Sequence, residues 1–373
     1  MYETVIVGGG VVGLLTAFYL QKEQSKVCII DRSKVGSESS WAGGGIISPL
    51  YPWLYDDAIN ELSRYGQRHY EKLADELRES TGIDPQWRRS GLVMLDLEST
   101  PDMNQWQKDF KQSYIKATAS ELQDYEPRLN SKYRSGWIQK DISQLRNPWM
   151  MRSLRQYLEN KGVIFKEKCE VTEIMHNKSK IIGVKANDEI IESERVIIAS
   201  GAWSGLFKEL DNIDVKPVMG QMILYKTKPQ WLQRIVMKQG KYVIPRADGH
   251  ILCGSTLEYS GYNKMVTRDT RRQLKQAAEE MLPELKEHHI IKQWSGLRPG
   301  SPNGVPYIGM HETIDNLYIN TGHYRYGVVM GLGSARLLTD IVVGHTPSIV
   351  DPEKYALSAK RVTTAEYQDL QSK

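Results

Sequence analysis

The chain has 373 residues, and its 49 Lys and Arg against 45 Asp and Glu give a net charge of +4 at pH 7. This length exceeds that of most single domains, so we expect two closely packed domains. The basic residues are dispersed along the chain, which argues against a nucleic-acid-binding surface.

The first residues show no targeting or membrane signal. The N-terminal apolar run is broken by three glycines at residues 8–10. It is therefore too short to span a bilayer, and we expect neither a signal peptide nor an integral membrane segment. The three cysteines, Cys28, Cys169 and Cys253, lack metal-ligand spacing. We predict that they are small core residues in a reducing, cytoplasmic compartment, and we expect no metal site.

A glycine motif dominates the N-terminal segment. The apolar run 4–7 leads into a Gly-x-Gly-x-x-Gly motif at residues 8–13, a helical pattern follows, and a second apolar run, 27–30, ends at Asp31. In a dinucleotide site the first glycine allows a tight turn, the second lets the pyrophosphate approach the backbone, and the third lets helix and strand pack closely. An acid about 20 residues further on can accept hydrogen bonds from a ribose. The segment therefore predicts a dinucleotide site, and Asp31 disfavours the 2′-phosphate of NADP.

Residues 36–48 combine a serine cluster with three consecutive glycines, Gly43, Gly44 and Gly45. By itself such a segment is typical of a flexible loop. Its position directly after the dinucleotide motif favours another interpretation, in which bare backbone lies against the middle of an extended dinucleotide such as FAD.

The next segment, residues 49–57, is rich in aromatic residues and proline. It could be a lid over a pocket, a contact for a partner or a packed loop. Residues 58–81 have apolar positions at helical spacing and charges on the other face, which predicts an amphipathic helix that ends at Gly82. His69 lies on the apolar side of this helix and is predicted to pack there, not to act in catalysis.

The middle of the chain alternates between helical and strand patterns. The predicted elements are a strand at 91–97, a short helix at 120–126 with Ser120 as its N-cap, a helix at 149–161, and an antiparallel meander formed by 163–168, 171–174 and 194–200. The last of these strands ends in a Ser-Gly pair, as a strand of a nucleotide-binding sheet would beside the cofactor.

From residue 215 the sequence has the character of an antiparallel sheet. The predicted elements are strands at 218–225, 241–245 and 250–255, a helix at 268–282, a strand at 317–320, and a helix that the glycine-rich segment 322–327 opens and that ends at Val342. The N-terminus of that last helix would offer a positive dipole end to a flavin ring. Because the sheet types alternate along the chain, we expect two domains that are interleaved in sequence.

Two arginines, Arg298 and Arg325, stand in segments rich in glycine and proline that we predict to be loops. A guanidinium there can bind a carboxylate through two hydrogen bonds, and the hydroxyl of Tyr242 could add another. For either arginine taken alone, a surface ion pair is an open alternative. For Tyr242 taken alone, the alternative is a packed tyrosine in the core. The chain has no HExxH or GxSxG motif, so the sequence favours redox chemistry over hydrolysis.

An ordered set of motifs resembles the D-amino-acid oxidase superfamily of FAD-dependent oxidoreductases, and within it the glycine oxidase (ThiO-like) branch. The motifs are GxGxxG at 8–13 with Asp31, WAGGG at 41–45, ASGAWS at 199–204, YVIPR at 242–246, GLRPG at 296–300 with PYIG at 306–309, and GHYRYG at 322–327. The similarity extends over nearly the whole chain. The GLRPG motif together with the Gly-His-aromatic-Arg motif is fairly specific.

The resemblance implies a fold of the α/β class (α+β overall), with a Rossmann-like FAD-binding domain interleaved with a substrate domain whose antiparallel sheet covers the flavin. The expected FAD-binding domain comprises 1–85, 145–214 and 294–373, and the expected substrate domain comprises 86–144 and 215–293. FAD should bind without a covalent link, because no cysteine follows Arg298 where related sarcosine oxidases attach their flavin. The expected cofactor-binding residues are Gly8, Gly10, Val11, Val12, Gly13, Asp31, Arg32, Ser39, Ser40, Gly43, Gly44, Gly45, Val171, Ser200, Gly201, Trp203, Arg298, Tyr326, Gly327 and Val328.

The resemblance also implies the catalytic arrangement. Arg298 and Tyr242 would hold the substrate carboxylate, Arg325 would line the same cavity, and Ile46 and Leu257 would belong to the substrate pocket with Tyr242. The relatives oxidise glycine, sarcosine or small D-amino acids to the imine and reduce O2 to hydrogen peroxide. Fixing the carboxylate aims the substrate Cα–H at the flavin, so orientation is the protein's main contribution and no acid or base is required.

Three differences from the glycine oxidase pattern concern substrate size. Leu257 replaces a methionine, Met219 replaces a basic residue, and residues 49–57 are richer in aromatics. The sequence therefore leaves open which amine is preferred and whether the chain forms a homo-oligomer. Two alternatives also stay open: a dehydrogenase that passes electrons to a quinone or protein acceptor through residues 49–57, and a flavin-binding module without catalysis.

Overall fold

The computed structural model describes residues 1–361, in which two large sheets lie beside each other and α-helices pack against both. The α-helices of this range are α1 (Val11–Lys22), α2 (Ser39–Ala42), α3 (Asp57–Thr81), α4 (Pro101–Phe110), α5 (Ala119–Tyr125), α6 (Asn147–Asn160), α7 (Arg268–Met281) and α8 (Gly327–Val343). The strands are β1 (Tyr2–Val7), β2 (Val27–Asp31), β3 (Arg88–Arg89), β4 (Leu92–Leu95), β5 (Ile115–Thr118), β6 (Ser135–Gln139), β7 (Ser143–Gln144), β8 (Ile164–Glu167), β9 (Val171–Asn177), β10 (Lys180–Ala186), β11 (Glu189–Ile198), β12 (Lys216–Lys226), β13 (Ile235–Lys238), β14 (Lys241–Pro245), β15 (His250–Gly254), β16 (Ile290–Gly300), β17 (Tyr307–Met310) and β18 (Leu317–Thr321).

The first sheet has the strand order β17-β18-β11-β1-β2-β8. All neighbours in it are parallel except β17 and β18, and β9 and β10 extend β11 as an antiparallel meander. The central strand β1 pairs with β2 on one side and β11 on the other, so the strand order reverses there. In doubly wound sheets ligands bind at such a point, outside the carboxyl ends of the strands.

Side chains of β1 alternate between two cores, as a buried strand requires. Ile6 faces a core that it shares with α1 and α8, whereas Val5 and Val7 face a core that includes residues of the β9–β10 meander. All of these side chains are buried. The first sheet is therefore the middle of three layers, with helices on one face and the meander on the other.

The second sheet has the order β16-β12-β15-β14-β13-β4-β6-β5 and is antiparallel except for the pair β13–β4. One face packs on α7, where Ile223 and Val243 meet Leu274. The other face contributes Met222 and Ile244 to the core that contains α1 and α8. Because this face is turned toward the first sheet, the second sheet can cover a ligand bound at the carboxyl ends of β1 and β11.

The expected α/β class, with a Rossmann-like sheet beside a mainly antiparallel one, is confirmed. The division into two interleaved domains stays a prediction. Its boundary at residue 294 falls inside β16, which pairs with β12 of the second sheet.

Most local predictions agree with the structure. Helix α3 ends at Gly82, which has a φ of 71° and therefore the left-handed conformation that suits glycine. His69 packs as predicted, because its ring stacks on Tyr65 and its Nδ1 lies 2.7 Å from the Tyr65 carbonyl oxygen.

Two local predictions are wrong. The N-cap of α5 is Thr118, not Ser120, since the Thr118 hydroxyl accepts from the Glu121 amide while the Glu121 carboxylate accepts from the Thr118 amide. This reciprocal pair satisfies two backbone donors at once. The predicted strand 163–168 is not part of the meander: β8 pairs in parallel with β2 and forms an edge of the first sheet.

The aromatic segment 49–57 is a packed loop. Trp53 is buried and its ring meets that of Tyr114 edge to face at 5.4 Å, while the Tyr51 hydroxyl accepts a 3.0 Å hydrogen bond from the Gly240 amide. These apolar side chains are turned inward. Across the described chain, no helix combines the length and hydrophobicity needed to cross a bilayer.

Candidate active site

A cavity of about 420 Å³ opens at the carboxyl ends of the parallel strands. Val7 pairs with Ile30 on one side and with Ile198 on the other, so β1, β2 and β11 reach this edge in register. The residues that follow these strands, and the end of β18, line the cavity. The sheet topology thus places the chemistry-bearing loops around one space.

The turn between β1 and α1 depends on its glycines. Gly8 has a φ of 111°, and a Cβ there would lie 2.4 Å from the Ala199 carbonyl oxygen. A Cβ on Gly13 would lie 2.0 Å from the Gly8 carbonyl oxygen, so any side chain would push the helix off the turn. At the start of α1 the Val11 amide donates a 2.8 Å hydrogen bond to the Ser40 hydroxyl, and Gly10, Val11 and Val12 line the cavity. A helix N-terminus that faces a cavity suits an anion such as a pyrophosphate.

The Asp31 carboxylate stands at the far end of this cavity. It accepts hydrogen bonds from the Gly9 amide at 2.8 Å and the Ser33 amide at 2.7 Å. Burial raises its pKa, and the two backbone donors oppose that rise. Each oxygen keeps a lone pair beyond these bonds, so a hydrogen bond to a ribose stays a prediction.

The Arg32 guanidinium lies 3.8 Å over the Trp203 ring, and both residues line the cavity beside Asp31. Cys169 lines it too and is half-buried, whereas Cys28 and Cys253 are buried as predicted for core residues. Cys169 packs against the core beneath β9 and β10 as predicted, but it is only partly buried because it follows β8 at the cavity edge.

In the glycine run 43–45 the absence of side chains is required for packing as well as for a ligand. A Cβ on Gly44 would lie 2.6 Å from Ile244 Cδ1, and one on Gly45 would lie 2.1 Å from the Leu145 carbonyl oxygen. Gly43 and Gly44 line the first cavity. The run is therefore a tightly held wall between the two sheets, not a flexible loop.

A second cavity of about 560 Å³ adjoins the first. The residues that line both cavities are Gly43, Gly44, Tyr242, Arg298, Arg325 and Val328. The junction of the two cavities thus carries the three residues that were predicted to be catalytic.

The prediction that Arg298 lies in a loop is wrong. Arg298 lies in strand β16, where it pairs with Val218 of β12. Its guanidinium donates to the carbonyl oxygens of Met219 (3.3 Å) and Thr256 (3.1 Å) and to the Ser255 hydroxyl (2.7 Å). Burial lowers the pKa of this guanidinium. The side chain is held from behind by neutral acceptors, which leaves its positive charge to a ligand.

Gly220 explains how the guanidinium fits. A Cβ on Gly220 would lie 2.2 Å from Arg298 Nη2, so only glycine leaves room for the guanidinium against β12. Met219 lines neither cavity, and its buried side chain packs with Ala202 and Leu297. Its difference from the glycine oxidase pattern therefore does not act directly on substrate size.

Arg325 lies among phenol rings. Its guanidinium carbon is 5.4 Å from the centre of the Tyr324 ring. Burial lowers its pKa, but Tyr55, Tyr326 and Tyr324 raise it, and the net shift is upward. This side chain is a permanent cation at the junction of the two cavities.

His323 also lines the first cavity, and a chain of buried hydrogen bonds fixes it. Thr16 Oγ1 donates to the Val12 carbonyl, Asn320 Nδ2 donates to Thr16 Oγ1, and the Ser334 hydroxyl donates to Asn320 Oδ1. The Ser334 oxygen must then accept from His323 Nε2, 2.7 Å away, so the proton of the neutral ring is on Nε2. Burial lowers the pKa of His323 to about 3.

Most predicted site residues come together around the two cavities. Those that line the first are Gly8, Gly10, Val11, Val12, Asp31, Arg32, Ser39, Ser40, Gly43, Gly44, Val171, Ser200, Gly201, Trp203, Tyr242, Arg298, Arg325, Gly327 and Val328. Gly45, Ile46, Leu257 and Tyr326 line the second, and Gly13 lies behind the turn. Their contacts with ligands stay predictions.

Sequence reasoning missed Gly220, Lys241 and Glu258, although each shapes the site. Lys241 directly precedes Tyr242 in the sequence, so its closeness to a predicted site residue could have indicated that it belongs to the site. Gly220 lies beside Arg298 only because β12 pairs with β16, and Glu258 joins the site because the chain after β15 pairs with Met219 of β12. No local pattern shows either pairing.

The first cavity fits a dinucleotide. It offers the N-terminus of α1 at Gly10, a turn that side chains on Gly8 or Gly13 would block, and a carboxylate at Asp31. Within residues 1–361 no group of His, Cys, Asp and Glu is arranged to hold a metal ion.

Comparison with known proteins agrees with these features. Residues 3–341 match the DAO family, described as FAD dependent oxidoreductase. The chain is 41% identical over 357 residues to the glycine oxidase of Pseudomonas putida, covering 95% of this chain and 98% of that protein. The structure is similar to that of glycine oxidase from Geobacillus kaustophilus, with a TM-score of 0.89, 26% identity, and coverage of 96% and 98% of the two chains. It is also similar to glycine oxidase from Bacillus cereus, with a TM-score of 0.87, 26% identity, and coverage of 97% and 100%. The chain belongs to the DAO family of FAD-dependent oxidoreductases.

Proposed function

We propose that this enzyme oxidises glycine or another small amine-bearing carboxylate, such as sarcosine or a small D-amino acid, to the imine, with O2 reduced to hydrogen peroxide. Water then hydrolyses the imine to the 2-oxo acid. The names of its relatives support this proposal, because proteins similar over nearly the whole chain are called glycine oxidase.

The observation that carries the proposal is the position of Arg298. Its guanidinium lies where the two cavities join, beside Tyr242, and its protein contacts are two carbonyl oxygens and one hydroxyl. A substrate carboxylate supplies the missing negative charge and can accept two parallel hydrogen bonds from a guanidinium.

Each residue at the junction would then have a distinct task. Arg298 binds the carboxylate, and the Tyr242 hydroxyl adds a donor that fixes its rotation. Gly220 keeps the guanidinium in place from behind. Leu257 and Ile46 limit the space beside the substrate Cα. Holding the carboxylate and Cα in one orientation lowers the barrier without a base, provided that the amine arrives neutral.

Residues of the first cavity would hold the cofactor. The N-terminus of α1 would bind the pyrophosphate and Asp31 the adenosine ribose, and we propose that no covalent link forms. The chemistry that bound FAD supplies is removal of a hydride from the substrate Cα and delivery of the electrons to O2. The second sheet lines this cavity through Tyr242 and Met222, and we propose that it limits the access of bulk water to the bound substrate.

The test is anaerobic mixing of the purified holoenzyme with glycine, sarcosine, D-alanine and D-proline in turn, followed by admission of air. We expect a small amine to bleach the flavin absorbance and air to restore it with stoichiometric peroxide. Bleaching with slow recovery in air would instead favour a dehydrogenase. Failure of every amine to bleach the flavin would refute the proposal.

A further inference from the structure

Three cationic side chains line the second cavity: Lys241, Arg298 and Arg325. In the described lining the one acidic side chain is Glu258. None of the three cations forms an ion pair with an acid of residues 1–361. The cavity therefore has more positive charge than its own walls neutralise.

Lys241 and Arg298 lie against the same residue. The Lys241 ammonium donates a 2.8 Å hydrogen bond to the Ser255 carbonyl oxygen, and Arg298 Nη2 donates a 2.7 Å hydrogen bond to the Ser255 hydroxyl. The ammonium and guanidinium groups thus both lie within hydrogen-bond distance of Ser255. They are close enough that one extended small molecule can contact both. Lys241 is half-buried, and its ammonium can still donate to a ligand.

Glu258 does not cancel this charge, because its oxygens are taken up by the cavity wall. They accept hydrogen bonds from Gln221 Nε2 at 3.0 and 3.2 Å and from the Thr256 hydroxyl at 2.5 Å. Gln221 and Thr256 are both buried, and Thr256 forms part of the cavity wall. This single carboxylate acts to raise the pKa of Lys241, but it offsets only part of the charge of the three cations.

A substrate with one carboxylate uses only one of the three cations. Charges that are removed from water are normally paired. Burial and the nearby charges of Arg298 and Arg325 lower the pKa of Lys241, and they outweigh the opposing effects of Cys253 and Glu258. A second negative group on the ligand would supply the missing partner. The volume of about 560 Å³ also exceeds what an amino acid without a side chain fills.

We propose that Lys241 forms a second anion-binding subsite, and that the preferred substrates are small amino acids or N-substituted glycines with a second carboxylate. This inference rests on the proposed function, since Arg298 is taken to bind the first carboxylate. Lys241 then selects among substrates and takes no part in the oxidation itself.

The test measures binding without turnover. Isothermal titration calorimetry of the holoenzyme compares two dicarboxylates, malonate and succinate, with propionate and butyrate, in which a methyl group replaces one carboxylate. We expect the dicarboxylates to bind about tenfold or more tightly, the effect of one charge-assisted hydrogen bond. In Lys241→Met this ratio of dissociation constants should fall toward one, and in Lys241→Arg it should largely survive.

The matched control is Lys292→Met, which removes the same charge from an exposed lysine that packs over Trp41 outside both cavities. It should keep the full ratio. Equal binding of mono- and dicarboxylates by the unaltered holoenzyme would overturn the inference, as would a ratio that Lys241→Met leaves intact. Because calorimetry needs no oxidation, a protein that prefers dicarboxylates but is bleached by no amine would keep this subsite and lose the proposed function.

Discussion

Arg246 Nη2 donates a 2.8 Å hydrogen bond to the carbonyl oxygen of Gly44. The same guanidinium donates to Gln144 Oε1 at 2.5 Å and to the Leu145 carbonyl oxygen at 2.9 Å. Arg246 is buried, and burial lowers its pKa to about 9. One side chain at the end of β14 thus holds the glycine wall shared by both cavities.

Replacing this residue in Arg246→Met should destabilise the protein and weaken FAD binding. Three buried acceptors would lose their donor, and each unsatisfied group costs about 1–3 kcal/mol. We expect the free energy of unfolding, measured with urea, to fall by at least about 2 kcal/mol. Arg134→Met, at an exposed position, is the matched control and should change it by less than about 0.5 kcal/mol. Equal stabilities of the two variants would contradict this account.

Gly13→Ala should abolish retention of FAD. The added methyl carbon would lie 2.0 Å from the Gly8 carbonyl oxygen, so α1 must move away from the turn that forms the pyrophosphate site. The flavin-to-protein absorbance ratio after purification measures this directly. Gly82→Ala strains the left-handed end of α3 but places its methyl group where nothing lies within 4 Å; it therefore controls for a general loss of stability and should be purified with bound flavin. A flavin-loaded Gly13→Ala protein would show that the turn tolerates the displacement.

Arg298→Met should raise the apparent KM for the amine substrate by about tenfold or more, because one charge-assisted hydrogen bond of about 1.5–3 kcal/mol is lost. The guanidinium also supports the chain around Ser255, so a structural effect must be separated from loss of the carboxylate partner. Ser255→Ala removes that support and keeps the charge. We expect its KM to change much less. An unchanged KM in Arg298→Met would refute the role in carboxylate binding.

Features determined by neighbouring residues were predicted well from the sequence. The glycine turn, Asp31 and the amphipathic helix α3 are marked by residue types at a fixed spacing, so they are visible in the chain even though Gly8 lies against Ala199 in the fold. The error at the N-terminus of α5 had a local signal that was overlooked, since Thr118 and Glu121 have the Thr-x-x-Glu spacing of a capping box.

Features set by long-range pairing could not be predicted in this way. The segment around Arg298 has the proline and glycine content of a loop, yet β12 makes it a strand by pairing with it along its length. Strand β8 lies beside β2 for the same reason. The cluster of Lys241, Arg298 and Ser255 exists only after these pairings form, so its charge could not be read from any one motif.

The buried ring of His323 should make the protein sensitive to acid. Its pKa of about 3 in the folded state lies below the value near 6.5 of an unfolded chain. The unfolded state therefore binds the extra proton as the pH falls below about 6.5, and folding stability must fall with pH. At about 1.4 kcal/mol per pH unit, this group should cost about 2 kcal/mol between pH 7 and pH 5.

His323→Gln tests this contribution, because glutamine keeps a donor for Ser334 and cannot be protonated in this range. Urea unfolding at pH 7 and pH 5 should show that the variant loses about 2 kcal/mol less stability than the unaltered protein over this interval. The exposed His289 provides the control in His289→Gln, which should retain the full acid sensitivity. If His323→Gln loses as much stability as the unaltered protein, the acid sensitivity arises elsewhere. Burial of this ring would then not be the source of the loss of stability in acid.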